Sequence, residues 1–361
     1  MEWHVWDFPD SIYVKFKDEY RIKLFERLRK HFGGYRKISK LGFEYTFIAT
    51  CLKRGYDSGG YQAYTNVRII KRILELFPEE KEIIENNTTS YRCRAGWPVY
   101  DAVLPIRETP ELYSIACHMI ADGSAGTGKT PYYSNSRKEL LNEFERKLQT
   151  FGKVETNSYI NKRNGVTFLM FPKAITDILS RILDIRFTFP DRLPKRLFES
   201  SDECKIAAIR AVFDDEGTVS TMFSISQNSE NILLQVKKLL SFFGIKTGNI
   251  CCSGVNHDLN VLISSYEKFY NIVGLTSLDK IDNLAEDVKV HRNYVESLLK
   301  TKIYNMLINN HPLNKHQIAK KFNITSGNVN CTLKLLENDR KVKRKFVGNN
   351  KPLLWYPELG T

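Results

Sequence analysis

The chain has 361 residues, of which 42% are hydrophobic and 26% charged, a composition typical of folded globular proteins rather than disordered ones. Its formal net charge of +13 indicates a polyanionic partner. A membrane span is not expected because no run of about 18 apolar residues occurs. The seven cysteines include no Cys-x-x-Cys pair, which argues against a zinc site or a disulfide framework. Because the N-terminus has no signal-peptide pattern, we expect an intracellular protein. The length of the chain predicts two or three domains.

Residues 1–103 carry helical patterns and are predicted to form the first domain. Arg21–His31 has apolar residues at helix-face spacing, and Thr65–Phe77 predicts a further helix. Between them, a short helix before Gly42 and a second helix over Glu44–Gly55 give the outline of a helix-turn-helix. A small helical bundle that contacts no nucleic acid is the alternative.

Residues 104–287 contain a nine-residue motif twice, as Ile115-Ala-Cys-His-Met-Ile-Ala-Asp-Gly123 and Ile209-Arg-Ala-Val-Phe-Asp-Asp-Glu-Gly217. Each copy is an apolar helical run that ends in an acidic residue and a glycine. The copies continue in the same order, with a short strand, an amphipathic helix, two strands and a closing helix. We therefore predict a middle domain of two equivalent α+β halves.

The repeat places two carboxylates, Asp122 and Glu216, at the ends of two equivalent helices. Small residues, Cys117 and Ala121 in the first helix and Ala211 in the second, would let the helices pack side by side. Two carboxylates that converge repel each other, and a divalent cation such as Mg²⁺ relieves the repulsion.

These features resemble the LAGLIDADG homing endonucleases of the two-repeat, monomeric type. The resemblance includes the segments before each motif, Leu104–Leu112 and Arg192–Asp202. It implies an α+β, pseudo-two-fold core of two αββαββα halves, whose sheets form a saddle over double-stranded DNA. It also implies that Asp122 and Glu216, with the adjoining Gly123 and Gly217, bind the metal.

The resemblance further implies a polar residue at the end of the second strand of each half, which orders the attacking water. Asn135 and Gln227 stand at these positions. Family members also carry a basic residue at the end of the fourth strand. This chain departs from that pattern, because Lys173 and Lys268 lie nearby but out of register.

A basic saddle would bind nucleic acid mainly through phosphates, with base contacts from a subset of side chains. The residues of the core that we expect at this surface are Lys129, Tyr132, Lys162, Arg163, Lys246 and His257.

Residues 288–361 are predicted to form a winged helix. Leu313–Phe322 and Thr325–Leu336 are two helices around a tight turn, with Ser326 as the expected N-cap of the second. The hairpin over Val342–Val347 and Pro352–Tyr356 would be a basic wing. The expected DNA-contacting residues are Ser326, Asn328, Asn330, Lys334, Lys343, Arg344 and Lys345. Contacts with another protein are the alternative role of such a module.

Gly123-Ser-Ala-Gly-Thr-Gly-Lys129-Thr130 also matches the phosphate-loop pattern of nucleotide-binding proteins. Such a loop follows a buried strand and opens a helix, whereas this segment follows a predicted helix and precedes a predicted strand. A coincidence in a glycine-rich hairpin is the favoured interpretation.

The sequence thus favours a Mg²⁺-dependent, site-specific double-strand DNA endonuclease that acts as a monomer without a membrane partner. The alternative is a DNA-binding transcriptional regulator, or an RNA-processing factor, on a catalytically silent scaffold of the same kind. An ATPase is a minor alternative.

Overall fold

The structure is a computed structural model that describes residues 1–54, 64–94, 96–126, 129–220, 222–295, 297–310, 312–345 and 353–358. The chain divides into two compact units, Met1–Ile281 and Asp282–Thr361. Among the described residues, no helix is both long and apolar enough to cross a bilayer.

The helices of the described residues are α1 Asp18–Phe32, α2 Tyr45–Ile48, α3 Val67–Leu76, α4 Lys81–Asn86, α5 Pro110–Ala121, α6 Lys138–Leu148, α7 Lys173–Ile182, α8 Asp202–Glu216, α9 Glu230–Phe242, α10 Tyr266–Ile272, α11 Leu278–Val295, α12 Ser297–Asn310, α13 Lys315–Phe322 and α14 Ser326–Asn338. The strands are β1 Glu2–Trp3, β2 Ile12–Phe16, β3 Tyr64–Asn66, β4 Thr88–Cys93, β5 Val99–Tyr100, β6 Ile106–Arg107, β7 Gly123–Ser124, β8 Tyr132–Asn135, β9 Lys153–Val154, β10 Asn157–Ile160, β11 Thr167–Met170, β12 Gly217–Val219, β13 Phe223–Gln227, β14 Cys251–Ser253, β15 Asn256–Asn260, β16 Leu313–Asn314, β17 Val342–Lys345 and β18 Leu354–Pro357.

The repeat in the sequence is a repeat in the fold. The first copy begins with α5 and the second with α8, and each continues with two strands, a helix, two strands and a helix. The sheets have the same internal order, β7-β8-β11-β10 in the first half and β12-β13-β15-β14 in the second. The predicted pair of αββαββα halves is therefore the architecture of this region, with β9 as an additional short strand in the first half.

The two motif helices begin at matching caps. Thr109 accepts a hydrogen bond from the backbone N–H of Leu112 at the start of α5, and Ser201 accepts one from Cys204 at the start of α8. Such caps satisfy backbone donors that have no partner within the helix. Both helices are therefore fixed at their first turn and end at the motif acids.

Helices α5 and α8 pack against each other, as their small residues predicted. Cys117 of α5 and Ala211 of α8 are buried. The apolar residues on the other faces of the two helices, among them Ile115 and Phe213, are buried as well. Each helix thus packs on its own half with one face and on the other helix with the opposite face. We call the contact between α5 and α8 the seam.

The helical domain predicted over residues 1–103 also contains a sheet, which was not predicted. Strands β2, β3, β4 and β5 form a sheet with β9, which belongs to the first half of the repeat. Gly152, just before β9, allows this approach, because a side chain there would collide with the backbone of Tyr100 and Asp101. The sheet therefore joins the N-terminal region to the core across the predicted boundary at residues 103 and 104.

The predicted helix-turn-helix around Gly42 also differs from the structure. Arg36–Leu41 is a 3-10 helix, α2 has one turn, and Ala49–Arg54 is a π-helix. Gly55, the predicted end of the second helix, lies outside the described residues. The flanking helices α1 and α3 match their predictions closely.

The second unit has the order α12, β16, α13, α14, β17, β18, with a three-stranded sheet in the order β16-β18-β17. Its core contains Leu307, Ile318, Leu333 and Trp355. The N-cap of α14 is Thr325 rather than the predicted Ser326. The tip of the predicted wing, residues 346–352, lies outside the described residues.

Candidate functional site

The two motif acids occupy equivalent places at the end of the helix seam. Asp122 caps the C-terminus of α5, and its backbone N–H donates to the carbonyl of His118 at 2.9 Å. Glu216 is the last residue of α8. In each half the next residue, Gly123 or Gly217, begins the first strand.

The motif glycines are required by the same close approach in both halves. A side chain on Gly123 would lie within 2.6 Å of the carbonyl oxygen of Met119, and one on Gly217 would meet the carbonyl oxygen of Phe213. In each case the obstacle is backbone four residues earlier in the helix. The glycine therefore lets the chain turn from helix into strand directly after the acid.

A strand-end amide faces the acid of its own half. Gln227, the last residue of β13, donates from Nε2 to Glu216 Oε1 at 2.7 Å. Asn135, the last residue of β8, has its Nδ2 3.5 Å from Asp122 Oδ2. Each half thus places one acid and one amide together.

A third carboxylate, Asp215, lies beside this pair and is enclosed in the seam. Its Oδ2 is 2.8 Å from His118 Nδ1 of the opposite helix, and the exposed fractions of the two side chains are 0% and 2%. Its Oδ1 accepts from Tyr133 Oη at 2.6 Å and from Asn135 Nδ2 at 3.2 Å. The oxygens of Asp215 are therefore engaged by the protein itself.

The electrostatic environment raises the pKa of both motif acids. Burial, and then the nearby Asp215 carboxylate, raise the pKa of Asp122 to about 6. Burial, followed by the charges of Asp122 and Asp215, raises the pKa of Glu216 to about 8. The charged form of each acid is thus disfavoured until a cation approaches.

Three basic groups of the protein partly offset this repulsion. His118, then Lys280 on α11 and Arg137, lower the pKa of Asp122, and Lys280 lowers that of Glu216. The Lys280 ammonium is buried and donates to the carbonyl oxygens of Phe213 at 3.1 Å and Asp214 at 2.5 Å, near the C-terminus of α8. Burial lowers its own pKa.

The start of α11 is fixed to both halves. Asp214 accepts from the backbone N–H groups of Thr276 and Ser277 at 2.8 and 3.1 Å. Arg137 of the first half forms a bidentate ion pair with Asp279, both distances being 2.9 Å. These contacts fix the segment that carries Lys280 against both halves.

The donor set suits a hard divalent cation. Among the described residues there is no cluster of three His, Cys, Asp or Glu side chains arranged to hold a metal ion. An ion at the seam would have the carboxylates of Asp122 and Glu216, the backbone oxygens that adjoin them, and water as ligands. Mg²⁺ is usually bound by one or two carboxylates and retains several waters, so these residues fit it.

An open pocket of about 500 Å³ adjoins the second acid. Glu216 and Gln227 line one side, and Gly123–Gly126 and Phe187–Pro190 line the others. The latter segment belongs to the connection between the halves, where the Thr188 hydroxyl donates to the carbonyl of Ala125 at 3.1 Å. Solvent therefore reaches Glu216 from this side.

Structural neighbours include a LAGLIDADG homing endonuclease. I-DmoI in complex with DNA and Mn has a TM-score of 0.36 at 15% identity, over 46% of this chain and 96% of that one. Full-length DUF199/WhiA from Thermatoga maritima has a TM-score of 0.37 at 13% identity, over 65% of this chain and 93% of that one. A crystal structure of the N-terminal LAGLIDADG domain of DUF199/WhiA has a TM-score of 0.35. No family model matches the chain.

Among curated proteins, the chain is similar to the glutamine–fructose-6-phosphate aminotransferase of Methanocaldococcus jannaschii. The identity is 25% over 301 residues, which is 75% of this chain and 26% of the relative. The chain thus spans about a quarter of the length of that protein.

Four of the six predicted nucleic-acid contacts of the core are exposed, whereas Tyr132 and His257 are only partly exposed. Lys129, Lys162, Arg163 and Lys246 are exposed. In the second unit, Lys334, Lys343, Arg344 and Lys345 are exposed, and Ser326, Asn328 and Asn330 are partly exposed. Arg344 is paired with Glu337 at 3.0 Å.

The phosphate-loop alternative is contradicted by the local fold. Helix α5 precedes Gly123, and strand β8 follows Thr130, which is the opposite of what a phosphate loop requires. Thr127 and Gly128 of the pattern lie outside the described residues. The match is a coincidence in the hairpin between β7 and β8.

The polar contact within the seam, between His118 and Asp215, was not predicted from the sequence. The signal was available, since a histidine within an apolar helix and an extra carboxylate beside a motif acid both need partners. Of the lysines expected near the fourth strands, Lys173 pairs with Asp177 instead.

Proposed function

We propose that the protein is a double-strand DNA endonuclease that uses a divalent cation, Mg²⁺ in the cell, at the seam between its two halves. The proposed metal ligands are Asp122 and Glu216, with the backbone of Gly123 and Gly217 beside them. The proposed partner is double-stranded DNA, and the proposed location is intracellular.

One observation carries this proposal, namely that each half places a strand-end amide beside its motif acid. Gln227 donates to Glu216, and Asn135 reaches toward Asp122. A structural role for a single acid would not require a matching pair on two helices. Two equivalent centres suit a substrate that itself has two equivalent strands.

The chain's own residues account for most of the proposed chemistry. A divalent cation bound here would supply a hydroxide and neutralise charge on the phosphodiester under attack. Asn135 and Gln227 would hold the attacking water of their own half by hydrogen bonds. Lys280 would contribute positive charge beneath the scissile phosphates, the role for which Lys173 and Lys268 are out of register.

The basic surfaces would bind the DNA backbone. In the core we assign phosphate contacts to Lys129, Lys162, Arg163 and Lys246. For the second unit we propose a winged helix, because two helices and a hairpin follow one another in the order that this module requires. The hairpin residues Lys343–Lys345 would contact the DNA backbone beside the groove that α14 enters.

A DNA-binding regulator with a silent core is the second candidate. It is favoured by the lack of a third free acidic or imidazole ligand among the described residues, and by the engagement of Asp215 within the protein. Such a protein would bind duplex DNA without a cation and would not nick it.

A cleavage assay against a library of duplexes distinguishes these functions. With Mg²⁺, the endonuclease is expected to produce double-strand breaks at a restricted set of sequences. Asp122→Asn and Glu216→Gln should remove cleavage and leave duplex binding intact. Binding without nicking, in Mg²⁺ and in Mn²⁺, would support the regulator and refute the endonuclease.

A further inference from the structure

The sheets of the two halves have the same strand order but different chemistry on their outer faces. In the first half, Tyr133 and Leu169 pair across β8 and β11 and are buried, so their neighbours in sequence point to the opposite face. In the second half, Ile225 and Leu259 form the corresponding buried pair across β13 and β15. The outer faces can therefore be compared position by position.

The outer face of the first half carries three aromatic rings. Tyr132 is on β8, Phe168 on β11 and Tyr159 on β10. The Phe168 ring is 4.9 Å from the Tyr159 ring at an interplanar angle of 6°, and 5.0 Å from the Tyr132 ring at 70°. We call these three residues the aromatic ladder.

The second half has small or polar residues where the ladder would be. By position relative to the strand-end amides, Ser224 corresponds to Tyr132. By strand register, Asp258 corresponds to Phe168, and Cys251 to Tyr159. The ladder is thus not required by the fold, since the other half forms the same sheet without it.

The ladder ends in an aromatic ring that is available to a partner. Tyr159 is 51% exposed and lies on β10, the edge strand of the sheet that the described residues form. Its ring stacks on Phe168 with one face, which leaves the other face toward the edge. A flat group could extend the stack from there.

The charges beside the ladder indicate which flat group this is. The chain after β10 turns through Lys162 and Arg163, both exposed, and the protein as a whole has a net charge of +13. Aromatic rings beside cations bind single-stranded nucleic acids, since the bases stack on the rings and the phosphates contact the cations. A base within a duplex has its faces covered by its neighbours and cannot stack in this way.

We propose that the aromatic ladder is a platform for unpaired bases of a nucleic acid strand, with Tyr159 as the ring on which a base stacks. The proposal goes beyond the function proposed above and does not depend on cleavage. Lys162 and Arg163 would hold the adjoining phosphates. The second half would continue to contact paired or backbone elements through its polar face.

The test measures fluorescence anisotropy of labelled single strands of about 12 nucleotides, a length within the usual range for one such site. Oligo-dT, oligo-U and an abasic strand of equal length are compared at one salt concentration with EDTA present. The abasic strand carries the same phosphates and lacks only the bases. We expect the base-bearing strands to bind about tenfold more tightly than the abasic strand.

Three variants assign the effect to the ladder. Tyr159→Ser should remove most of the tenfold preference, Tyr159→Phe should keep it, and Cys251→Ser at the corresponding position of the second half should not change it. Equal binding of abasic and base-bearing strands, or a preference that survives Tyr159→Ser, would overturn the proposal. Tighter binding of oligo-U than of oligo-dT identifies RNA as the source of the bases, and tighter binding of oligo-dT identifies DNA.

Duplex binding by the same variants distinguishes this proposal from an ordinary groove contact. Tyr159→Ser should leave duplex affinity and Mg²⁺-dependent cleavage unchanged, and an equal loss for duplex and single strand would contradict the platform. Because the single-strand measurement contains no divalent cation, an inactive nuclease would not affect it. Matching thermal melting curves establish that Tyr159→Ser is folded.

Discussion

His118 of the first motif helix and Asp215 of the second lie 2.8 Å apart, with both side chains almost completely enclosed. The contact joins two halves that are otherwise held along the seam by small and apolar residues. Tyr133 and Asn135 donate to the same carboxylate. The seam is therefore specified by a polar network that also determines the charge beside the motif acids.

Removal of the Asp215 carboxylate should destabilise the first unit. Asp215→Ala leaves His118 and Tyr133 buried without an acceptor, and we expect a loss of about 2–4 kcal/mol in the free energy of unfolding. Urea denaturation measures the change. Tyr133→Phe, which removes one hydroxyl donor, is the matched control and should cost about 1 kcal/mol. An Asp215→Ala cost no larger than that of the control would contradict the network.

Stability should depend on pH through Glu216. Its pKa is about 8 in the folded protein against an ordinary value of 4.5, so the folded state binds the proton more tightly. This contribution to stability is fully present below pH 4.5 and is lost as the pH rises through about 8. Glu216→Gln should therefore be more stable than the native protein at high pH, by about 2–4 kcal/mol at pH 9.

Thermal unfolding between pH 5 and pH 9 checks this sign. The stabilities of Glu216→Gln and the native protein should be closest at the acidic end and separate as the pH rises. Mg²⁺ should reduce the difference at pH 9, because it stabilises only the protein that retains the carboxylate. A constant difference across the range would contradict the raised pKa.

The motif glycines should not accept alanine. Gly217→Ala places a methyl group against the carbonyl oxygen of Phe213, and backbone cannot move aside as a flexible side chain can. We expect a loss of about 1–3 kcal/mol in the free energy of unfolding. At Gly126 the added carbon would meet only the Lys129 side chain, at 3.5 Å or more, so Gly126→Ala should be tolerated. Equal losses of stability in Gly217→Ala and Gly126→Ala would show that the contact with the Phe213 carbonyl does not require glycine.

Replacement of Lys280 should raise the pKa of both motif acids, because its charge lowers them. Lys280→Met is thus expected to shift the pH dependence of Mn²⁺ binding to higher pH, since the acids must be deprotonated to bind the ion. Isothermal titration at several pH values measures the shift. Lys173→Met, which breaks only the pair with Asp177, is the control and should show none.

The core was predictable because the repeated nine-residue motif indicates the same local structure in both halves. An apolar helical run, an acid and a glycine occur twice, and the glycine of each copy is required because it lies against the backbone of Met119 or Phe213. The strand-end positions of Asn135 and Gln227 followed from the same repeat. Side-by-side packing of the helices followed from small residues such as Cys117 and Ala211.

The remainder depends on contacts between distant segments. The five-stranded sheet of the N-terminal region includes Lys153–Val154, a two-residue strand whose pairing no local pattern indicates. Ile12–Phe16 does alternate buried and partly exposed residues, so this strand could have been recognised. Lys280 reaches the site because Asp214 fixes the segment before it, a tertiary contact that spacing does not reveal.

Mn²⁺ titration at pH 9 tests the central claim most directly. The claim is that Asp122 and Glu216 bind divalent cations at the seam between the two halves. The native protein should bind Mn²⁺ at this pH, where both acids are ionised, and Asp122→Asn and Glu216→Gln should each weaken binding by at least about tenfold. Native affinity in both variants would show that the ion binds elsewhere and would contradict the account.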